Sequence, residues 1–220
     1  MAAVPVIAID GPAASGKGTI AKRVAAALGY RYLDSGSLYR LVAHRALTTG
    51  TDPDDGEALA ALARGMDVRF EGDFIRLGGA DVTDALRGEA VSAAASRVAV
   101  HPALRAALLE RQRGFRRPPG LVADGRDMGT VVFADASPKV FVVASAEERA
   151  ARRRRQLAEM GIDVNIQSLL RDIRERDARD ASRSAAPLRP ADDAVILDTT
   201  NMTIEGSVAA VLALVAPSRC

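Results

Sequence analysis

The stretch that decides the fold is VPVIAIDGPAASGKGT, residues 4–19. Residues 4–9 are apolar and rich in β-branched side chains, which is typical of a strand buried on both faces of a parallel sheet. The next residues match the phosphate-loop pattern of glycine, four variable residues, glycine and lysine. Residues 17–28 then carry apolar side chains at helical spacing. Strand, glycine-rich loop and helix in this order predict a loop that binds the phosphates of a nucleoside triphosphate.

The predicted ATP-binding residues are one continuous run. They are Gly11, Pro12, Ala13, Ala14, Ser15, Gly16, Lys17, Gly18 and Thr19. We expect Lys17 to reach the β- and γ-phosphates and count it as catalytic. The residue after it is glycine, whereas the pattern usually has Ser or Thr there, and the hydroxyl follows one step later. The usual metal contact is therefore not indicated, and we assign no metal ligand.

The rest of the chain alternates strand-like and helix-like segments. Apolar runs at 30–33, 121–123, 140–143 and 194–197 predict further strands, with helical patterns between them. Residues 67–83 contain short strand-like pieces between glycine-containing turns, which predict a small antiparallel excursion. Helical patterns follow at 84–100 and 102–115. We predict an α/β fold with a parallel sheet of about five strands and helices on both faces.

Composition narrows the class of protein. A chain of 220 residues suits one sizeable core, and a formal net charge of +2 is too weak to indicate a nucleic-acid partner. The one cysteine, at position 220, leaves no internal disulfide to form. No apolar run approaches the roughly 20 residues that a membrane span needs. We expect a cytoplasmic protein, a monomer, with small-molecule partners and neither nucleic acid nor membrane.

Arginine is the dominant cation, with 27 copies against three lysines. Its planar guanidinium matches the oxygens of phosphate groups. In residues 175–183, the spacing of Arg176, Arg179 and Arg183 predicts that all three lie on one helix face. Cations placed side by side repel one another unless an anion lies among them. Phosphoryl transfer requires such a concentration of positive charge around the transferred group.

Two polar motifs follow predicted strands. Residues 124–127, DGRD, come directly after an apolar strand, and residues 34–40, DSGSLYR, follow the second strand. Open α/β folds bind ligands at the carboxyl ends of their strands, so both motifs are candidate substrate sites. The simpler interpretations are a polar turn for the first motif and a helix N-cap for the second.

These features favour a small-molecule kinase among phosphate-loop proteins. A GTPase would need an Asn-Lys-x-Asp guanine reader, and no Asn precedes a Lys in the sequence. Two alternatives stay open. One is a kinase for a metabolite hydroxyl, which needs a general base, for which Asp34 is the attractive candidate. The other is a nucleotide-binding regulator without turnover.

The same residues resemble the bacterial cytidylate kinase family. The matching segments are the phosphate loop and residues 33–40, 124–130, 176–180, 186–188 and 197–200. The resemblance spans nearly the whole chain, and residues 124–132 are its most specific part. It implies a nucleoside monophosphate kinase fold with a core of residues 1–33, 105–148 and 164–220. It also implies a monophosphate-binding insertion at 34–104 and a lid at 149–163, whose run from Arg152 to Arg155 would close over the ATP phosphates.

The resemblance also implies the substrates and their contacts. ATP, accompanied by Mg²⁺, would donate its γ-phosphoryl group to CMP or dCMP, giving ADP and CDP or dCDP; a kinase for another metabolite or monophosphate is the alternative. Besides Lys17, the implied catalytic residues are Arg126, Arg176 and Arg183. The implied CMP contacts are Ser35, Ser96, Arg105 and Asp127, with Arg40, Arg126 and Arg183 on the acceptor phosphate and Arg176 and Asp180 on the ribose.

Overall fold

A computed structural model describes residues 3–72, 74–159 and 161–215. Its strands are β1 (Val6–Asp10), β2 (Arg31–Asp34), β3 (Val68–Glu71), β4 (Phe74–Leu77), β5 (Ala80–Asp81), β6 (Leu121–Gly125), β7 (Lys139–Val143) and β8 (Val195–Asp198). Its α-helices are α1 (Lys17–Leu28), α2 (Ser35–Thr49), α3 (Gly56–Gly65), α4 (Glu89–Val98), α5 (Pro102–Arg113), α6 (Ala146–Glu159), α7 (Ile166–Ala181) and α8 (Ile204–Val215). No helix in this part of the chain is long and apolar enough to cross a membrane.

The chain forms two compact units. The first comprises Met1–Leu33 and Phe115–Cys220, and the second comprises Asp34–Gly114. Within the described residues, the first unit contains a five-stranded sheet in the order β2-β6-β1-β7-β8. Strand β1 pairs in parallel with both β6 and β7, and β7 pairs in parallel with β8. This architecture confirms the predicted α/β class and the predicted number of strands.

The core of the first unit explains why these segments became strands. Every residue of β1 and β6 is buried, as expected of central strands covered on both faces. Helices α1 and α8 pack on one face of the sheet, where a cluster of buried side chains includes Ile7, Ile9, Val24, Val140 and Val211. A short π-helix, Met128–Val132, packs against β1. No sequence pattern indicated this π-helix.

The second unit combines helices with a small sheet. Helix α2 packs against α3 and α4, and α3 packs against α5. Strands β3, β4 and β5 form an antiparallel sheet, which confirms the predicted excursion. Helix α5 belongs to this unit because Leu104 and Leu108 are fully buried and α5 packs along α3. The unit therefore extends past the predicted insertion of residues 34–104, whose role in binding a monophosphate stays a prediction.

One predicted helix is interrupted in the structure. The helical pattern at 84–100 contains a 3₁₀ turn at Ala85–Arg87 and then α4, which begins only at Glu89. Gly88 separates the two, with an extended backbone at φ −60° and ψ 147°. The prediction of a single helix was wrong because the apolar pattern continues across a glycine whose backbone leaves the helical region.

Candidate active site

The phosphate loop runs from the end of β1 to the start of α1. At Gly11, φ is +153° and a Cβ atom would lie 2.2 Å from the carbonyl oxygen of Val142, so only glycine fits. Gly16, with φ +89°, forms the N-cap of α1. The Lys17 ammonium folds back over the loop and donates to the carbonyl oxygen of Pro12 at 3.4 Å. Of the nine predicted ATP-binding residues, the first six form the loop ahead of α1 and the last three begin the helix. A glycine-rich loop that leads into a helix N-terminus suits an anion.

Two arginines of α6 hold the carbonyl groups of this loop. Arg149 donates to the carbonyl oxygen of Ala13 at 3.2 Å and is ion-paired with Asp177. Arg152 donates to the carbonyl oxygen of Ser15 at 3.0 Å and to that of Thr199 at 2.6 Å. These bonds provide partners for two backbone carbonyl groups of the loop. Neither Arg149 nor Thr199 was predicted to support the loop.

Residues 149–159 of the predicted lid belong to the packed helix α6. Helix α6 packs against α7 through a cluster of Ala150, Leu157, Leu169 and Ile173. Of the run from Arg152 to Arg155, Arg152 contacts the phosphate loop, whereas Arg155 donates to Glu148 of the same helix. That residues 149–163 close over ATP as a lid stays a prediction.

A carboxylate lies beside the loop at Gly18. Asp124, at the carboxyl end of β6, accepts a hydrogen bond from the Tyr32 hydroxyl at 2.5 Å. One of its oxygens is 3.4 Å from the position that a Cβ atom of Gly18 would take. Among the described residues, no group of three or more His, Cys, Asp or Glu side chains could hold a metal ion. Mg²⁺ usually takes one or two carboxylates and the oxygens of its nucleotide, so Asp124 fits an ion that arrives with ATP.

An arginine cluster surrounds one buried carboxylate. The side chain of Asp180 is fully buried, Arg126 Nε donates to it at 2.9 Å, and Arg183 donates to its other oxygen. Burial acts to raise the pKa of Asp180, but the charges of Arg126, Arg183 and Arg176 hold this pKa below its usual value. The structure therefore brings together four residues that the sequence analysis assigned to CMP, and it gives them more positive than negative charge.

The prediction that Arg176, Arg179 and Arg183 lie on one helix face was wrong for Arg183. Helix α7 ends at Ala181 and Ser182 is its C-cap, so Arg183 lies beyond the helix. Arg179 is exposed, whereas Arg176 and Arg183 are partly buried. The chain turns after α7 and Leu188 N–H donates to the carbonyl oxygen of Asp180 at 2.8 Å. Arg183 reaches Asp180 through this turn and not through a shared helix face.

The turn after β6 carries Arg126 and Asp127, and the two residues that follow it are bonded to a residue of β1. Asp10 accepts hydrogen bonds from the backbone N–H groups of Met128 and Gly129, each at 2.8 Å. Asp10 and Asp127 are both buried. Burial raises the pKa of Asp10 to about 7, against the effect of the two backbone hydrogen bonds. Asp10 was not among the predicted site residues, although it is an acidic residue at the end of an apolar strand.

The second unit holds the other predicted CMP contacts. Asp34 caps α2 by accepting from Ser37 N–H at 3.2 Å, and Arg40 donates to both Asp34 and the Ser37 hydroxyl. The Ser35 hydroxyl accepts from Gln112 Nε2 at 2.9 Å, a buried bond that the sequence did not indicate. Arg105 lies over the Tyr39 ring, 5.6 Å from its centroid, and Ser96 is buried in α4. Their contacts with CMP stay predictions.

Comparisons with known proteins identify the family. The family model described as cytidylate kinase matches residues 7–217. A cytidylate kinase of Bordetella bronchiseptica is 60% identical over 210 residues, 96% of this chain and 94% of that protein. One from Burkholderia mallei is 58% identical over 209 residues, 95% and 92% of the two chains. A gluconokinase structure from Sinorhizobium meliloti aligns over 97% and 92% of the two chains at 17% identity and a TM-score of 0.45, too weak a similarity to bear on the assignment. With a matching model and such relatives across nearly its whole length, the chain belongs to the cytidylate kinase family.

Proposed function

We propose that this protein transfers the γ-phosphoryl group of ATP to CMP, and also to dCMP, giving ADP and CDP or dCDP. The proposal depends on one observation: the first unit contains both a phosphate loop and a positively charged arginine cluster. Membership of the cytidylate kinase family supports it. We further propose that it acts on these small molecules as a cytoplasmic monomer.

The chemistry requires charge and position more than a strong base. The nucleophile is a phosphate oxygen of CMP, which is largely ionised near neutral pH. Both substrates are polyanions, so the main barrier is to bring them together and to neutralise the transferred group. Lys17 serves the β- and γ-phosphates of ATP, and the cluster of Arg126, Arg176 and Arg183 supplies the excess positive charge over Asp180.

Mg²⁺ fits this scheme as a companion of ATP. When bound, it would neutralise negative charge on the phosphates of ATP. Asp124 is the described carboxylate that lies beside the phosphate loop, and the Tyr32 hydroxyl orients it. We propose that Asp124 would hold the ion or one of its waters, together with the phosphates of ATP.

We assign CMP contacts in each unit separately. In the second unit, Arg40 binds the acceptor phosphate, while Ser35, Ser96 and Arg105 contact the nucleoside. In the first unit, Arg126 and Arg183 bind the phosphate, Arg176 and Asp180 contact the ribose, and Asp127 accepts from the N4 amino group of cytosine. The support for these assignments is that the guanidinium groups of Arg40, Arg105, Arg126 and Arg183 are each held by a carboxylate, a carbonyl or an aromatic ring. The charge of Arg176 acts on the same buried carboxylate, that of Asp180.

The alternative of a hydroxyl-directed kinase is weakened by the state of Asp34. A general base needs a carboxylate that is available to the substrate. Asp34 instead caps α2 and is bonded to both Ser37 and Arg40. Both carboxylate oxygens of Asp34 are thus occupied by these donors, which leaves the carboxylate poorly placed to accept a proton from a substrate hydroxyl.

An ADP-release assay over the common nucleoside monophosphates tests the proposed function. We expect CMP and dCMP to be the preferred acceptors. Lys17→Ala should lower turnover by about 10²-fold or more, because one charged donor to the transferring group is lost. Lys22→Ala, on the exposed side of the same helix, is the matched control. ATP-dependent phosphorylation of a sugar hydroxyl but not of CMP would refute the proposal, and so would full activity of Lys17→Ala.

The base preference tests Asp127. Cytosine presents an amino donor where uracil presents a carbonyl acceptor, and a carboxylate only accepts. We expect wild type to prefer CMP over UMP strongly, and Asp127→Ala to lower kcat/KM for CMP far more than for UMP. The contrast can approach about 10⁴ in sites built on such bonds. An unchanged ratio of the two kcat/KM values in Asp127→Ala would remove the base-reading role.

A further inference from the structure

Asp10 stands at the junction of β1 and the phosphate loop, one residue before Gly11. Its two carboxylate oxygens each accept one backbone N–H, from Met128 and from Gly129, both at 2.8 Å. Neither donor belongs to the phosphate loop. Asp10, the last residue of β1, is therefore bonded to the segment that follows β6.

The position of that segment decides where two proposed CMP contacts lie. In the parallel pairing of β1 with β6, Asp10 is the partner of Gly125, the last residue of β6. The chain then turns through Arg126 and Asp127, and the π-helix begins at Met128. Asp10 thus closes a two-residue turn from both sides, by strand pairing at one end and by its carboxylate at the other. The two residues of the turn are those assigned to the phosphate and the base of CMP.

The carboxylate is well suited to this task and hard to replace. The first N–H groups of a helix have no partner inside it, and Met128 is fully buried, so loss of the acceptor would leave a buried donor unsatisfied. A carboxylate can accept through both oxygens. An asparagine at position 10 would accept through one oxygen and present its amide N–H₂ to the other backbone donor.

The charged groups acting on Asp10 are Asp127, in the turn itself, and Lys17, on α1. Burial raises the pKa of Asp10 to about 7, Asp127 acts in the same direction and Lys17 opposes it. Since a protonated carboxyl loses one full acceptor, the two backbone bonds are complete only in the ionised form. They are weakened as the pH falls through this pKa.

We propose that Asp10 is a positioning residue for CMP: from the strand that begins the phosphate loop, its carboxylate fixes the turn that presents Arg126 and Asp127. The inference rests on the proposed function, since it gives those two residues their CMP roles. It adds that recognition of the cytosine base depends on a residue that does not itself touch the substrate.

The test compares Asp10→Asn with Asp135→Asn. Asp135 lies three residues after the π-helix, is exposed and pairs with Arg116, so its substitution is an isosteric change outside the turn. We measure kcat/KM for CMP and for UMP, and the Kd of a non-hydrolysable ATP analogue by titration. In Asp10→Asn we expect the CMP-over-UMP ratio to fall about tenfold or more, with the Kd of the analogue within about threefold of wild type. Asp135→Asn should match wild type.

Two results for Asp10→Asn would overturn the inference. One is a CMP-over-UMP ratio equal to that of Asp135→Asn. The other is an equal loss of CMP and analogue affinity, which would indicate a general role in the fold or the phosphate loop. Both results can be distinguished from failure of the proposed function, because in that case the wild-type protein would not phosphorylate CMP.

Should Asp10→Asn fail to fold, wild type alone decides the matter. The CMP-over-UMP ratio cancels the phosphate ionisation that the two substrates share. We expect this ratio to fall about threefold or more between pH 8 and pH 6, because Asp10 becomes protonated across that range. A constant ratio would overturn the inference.

Discussion

The guanidinium groups of Arg126 and Arg40, both assigned to the acceptor phosphate, are held in opposite ways. In the first unit, Arg126 shares the buried carboxylate of Asp180 with Arg183, and the charge of Arg176 acts on the same carboxylate. In the second unit, Arg40 faces Asp34, and both side chains are about 28% exposed. One arrangement has more cations than anions, whereas the other is a balanced pair.

This difference in charge balance predicts that Arg126 and Arg40 contribute differently to substrate binding and catalysis. Buried like charges with one counter-ion repel one another, and an incoming phosphate relieves that repulsion. The first-unit cluster should therefore contribute both affinity and transition-state stabilisation. Arg40 must give up part of its bond with Asp34 to engage a phosphate, and the pair is partly screened by solvent. We expect Arg40 to orient the substrate at a smaller energetic gain.

Removal of the shared carboxylate should have the largest effect. Asp180→Asn leaves the cluster without its anion, and loss of one partner of a buried ion pair costs about 3–5 kcal/mol of unfolding free energy. Urea unfolding measures this loss. Because the pKa of Asp180 is depressed in the folded protein, the advantage of wild type is present at neutral pH and shrinks as the pH falls through that depressed pKa.

Added inorganic phosphate tests whether the arginine cluster binds anions. If the cluster is an anion site, added phosphate should raise the Tm of Asp180→Asn more than that of wild type, because it replaces the missing charge. Sodium chloride at equal ionic strength is the control. Equal stabilisation of both proteins by phosphate would contradict the excess of positive charge that distinguishes this cluster from the Arg40 pair.

Matched Arg→Lys substitutions compare the two arginines directly. A lysine keeps the charge but loses the planar fork. We expect Arg126→Lys to lower kcat/KM for CMP about 10²-fold and Arg40→Lys about tenfold or less. Steady-state kinetics at saturating ATP measures both, and the Kd of an ATP analogue should be unchanged in each. Equal losses, or a larger loss at Arg40, would show that the balance of charge does not predict the contribution of these arginines.

Much of this molecule follows from local sequence signals. The five-stranded sheet, the antiparallel excursion at β3–β5 and the phosphate loop were predicted, because each depends on short apolar runs or a fixed glycine spacing. The two predictions that failed lie at ends of helices. Gly88 interrupts a continuous apolar pattern, and α7 ends before Arg183. Periodicity alone does not reveal such ends.

The residues that hold the phosphate loop and the substrate-binding turn in place could not be predicted in the same way. Asp10 contacts residues more than 100 positions away in the sequence, and Arg149 and Arg152 contact the phosphate loop from a helix that starts at Ala146. Such contacts depend on the strand order, which places β1 between β6 and β7. The sequence identified the residues expected to touch substrate through their motifs. Residues that only hold other residues carried no comparable motif.

The smallest effect is expected from substitution of Asp34. This substitution tests whether Asp34 only balances the charge of Arg40 or acts as a catalytic base. Asn is as good an N-cap as Asp, so Asp34→Asn should keep α2 intact while removing the counter-charge of Arg40. We expect kcat/KM for CMP to change by less than about threefold, with CMP affinity equal to or slightly above that of wild type, because Arg40 no longer divides its bonds between a carboxylate and the phosphate. Asp55→Asn is the matched control, since Asp55 caps α3 in the same unit by accepting from Glu57 and Ala58. It reports the cost of the cap substitution alone.

A loss of about 10³-fold in kcat/KM for Asp34→Asn, with Asp55→Asn unaffected, would indicate that the reaction uses a general base. A hydroxyl acceptor would then fit better than a phosphate.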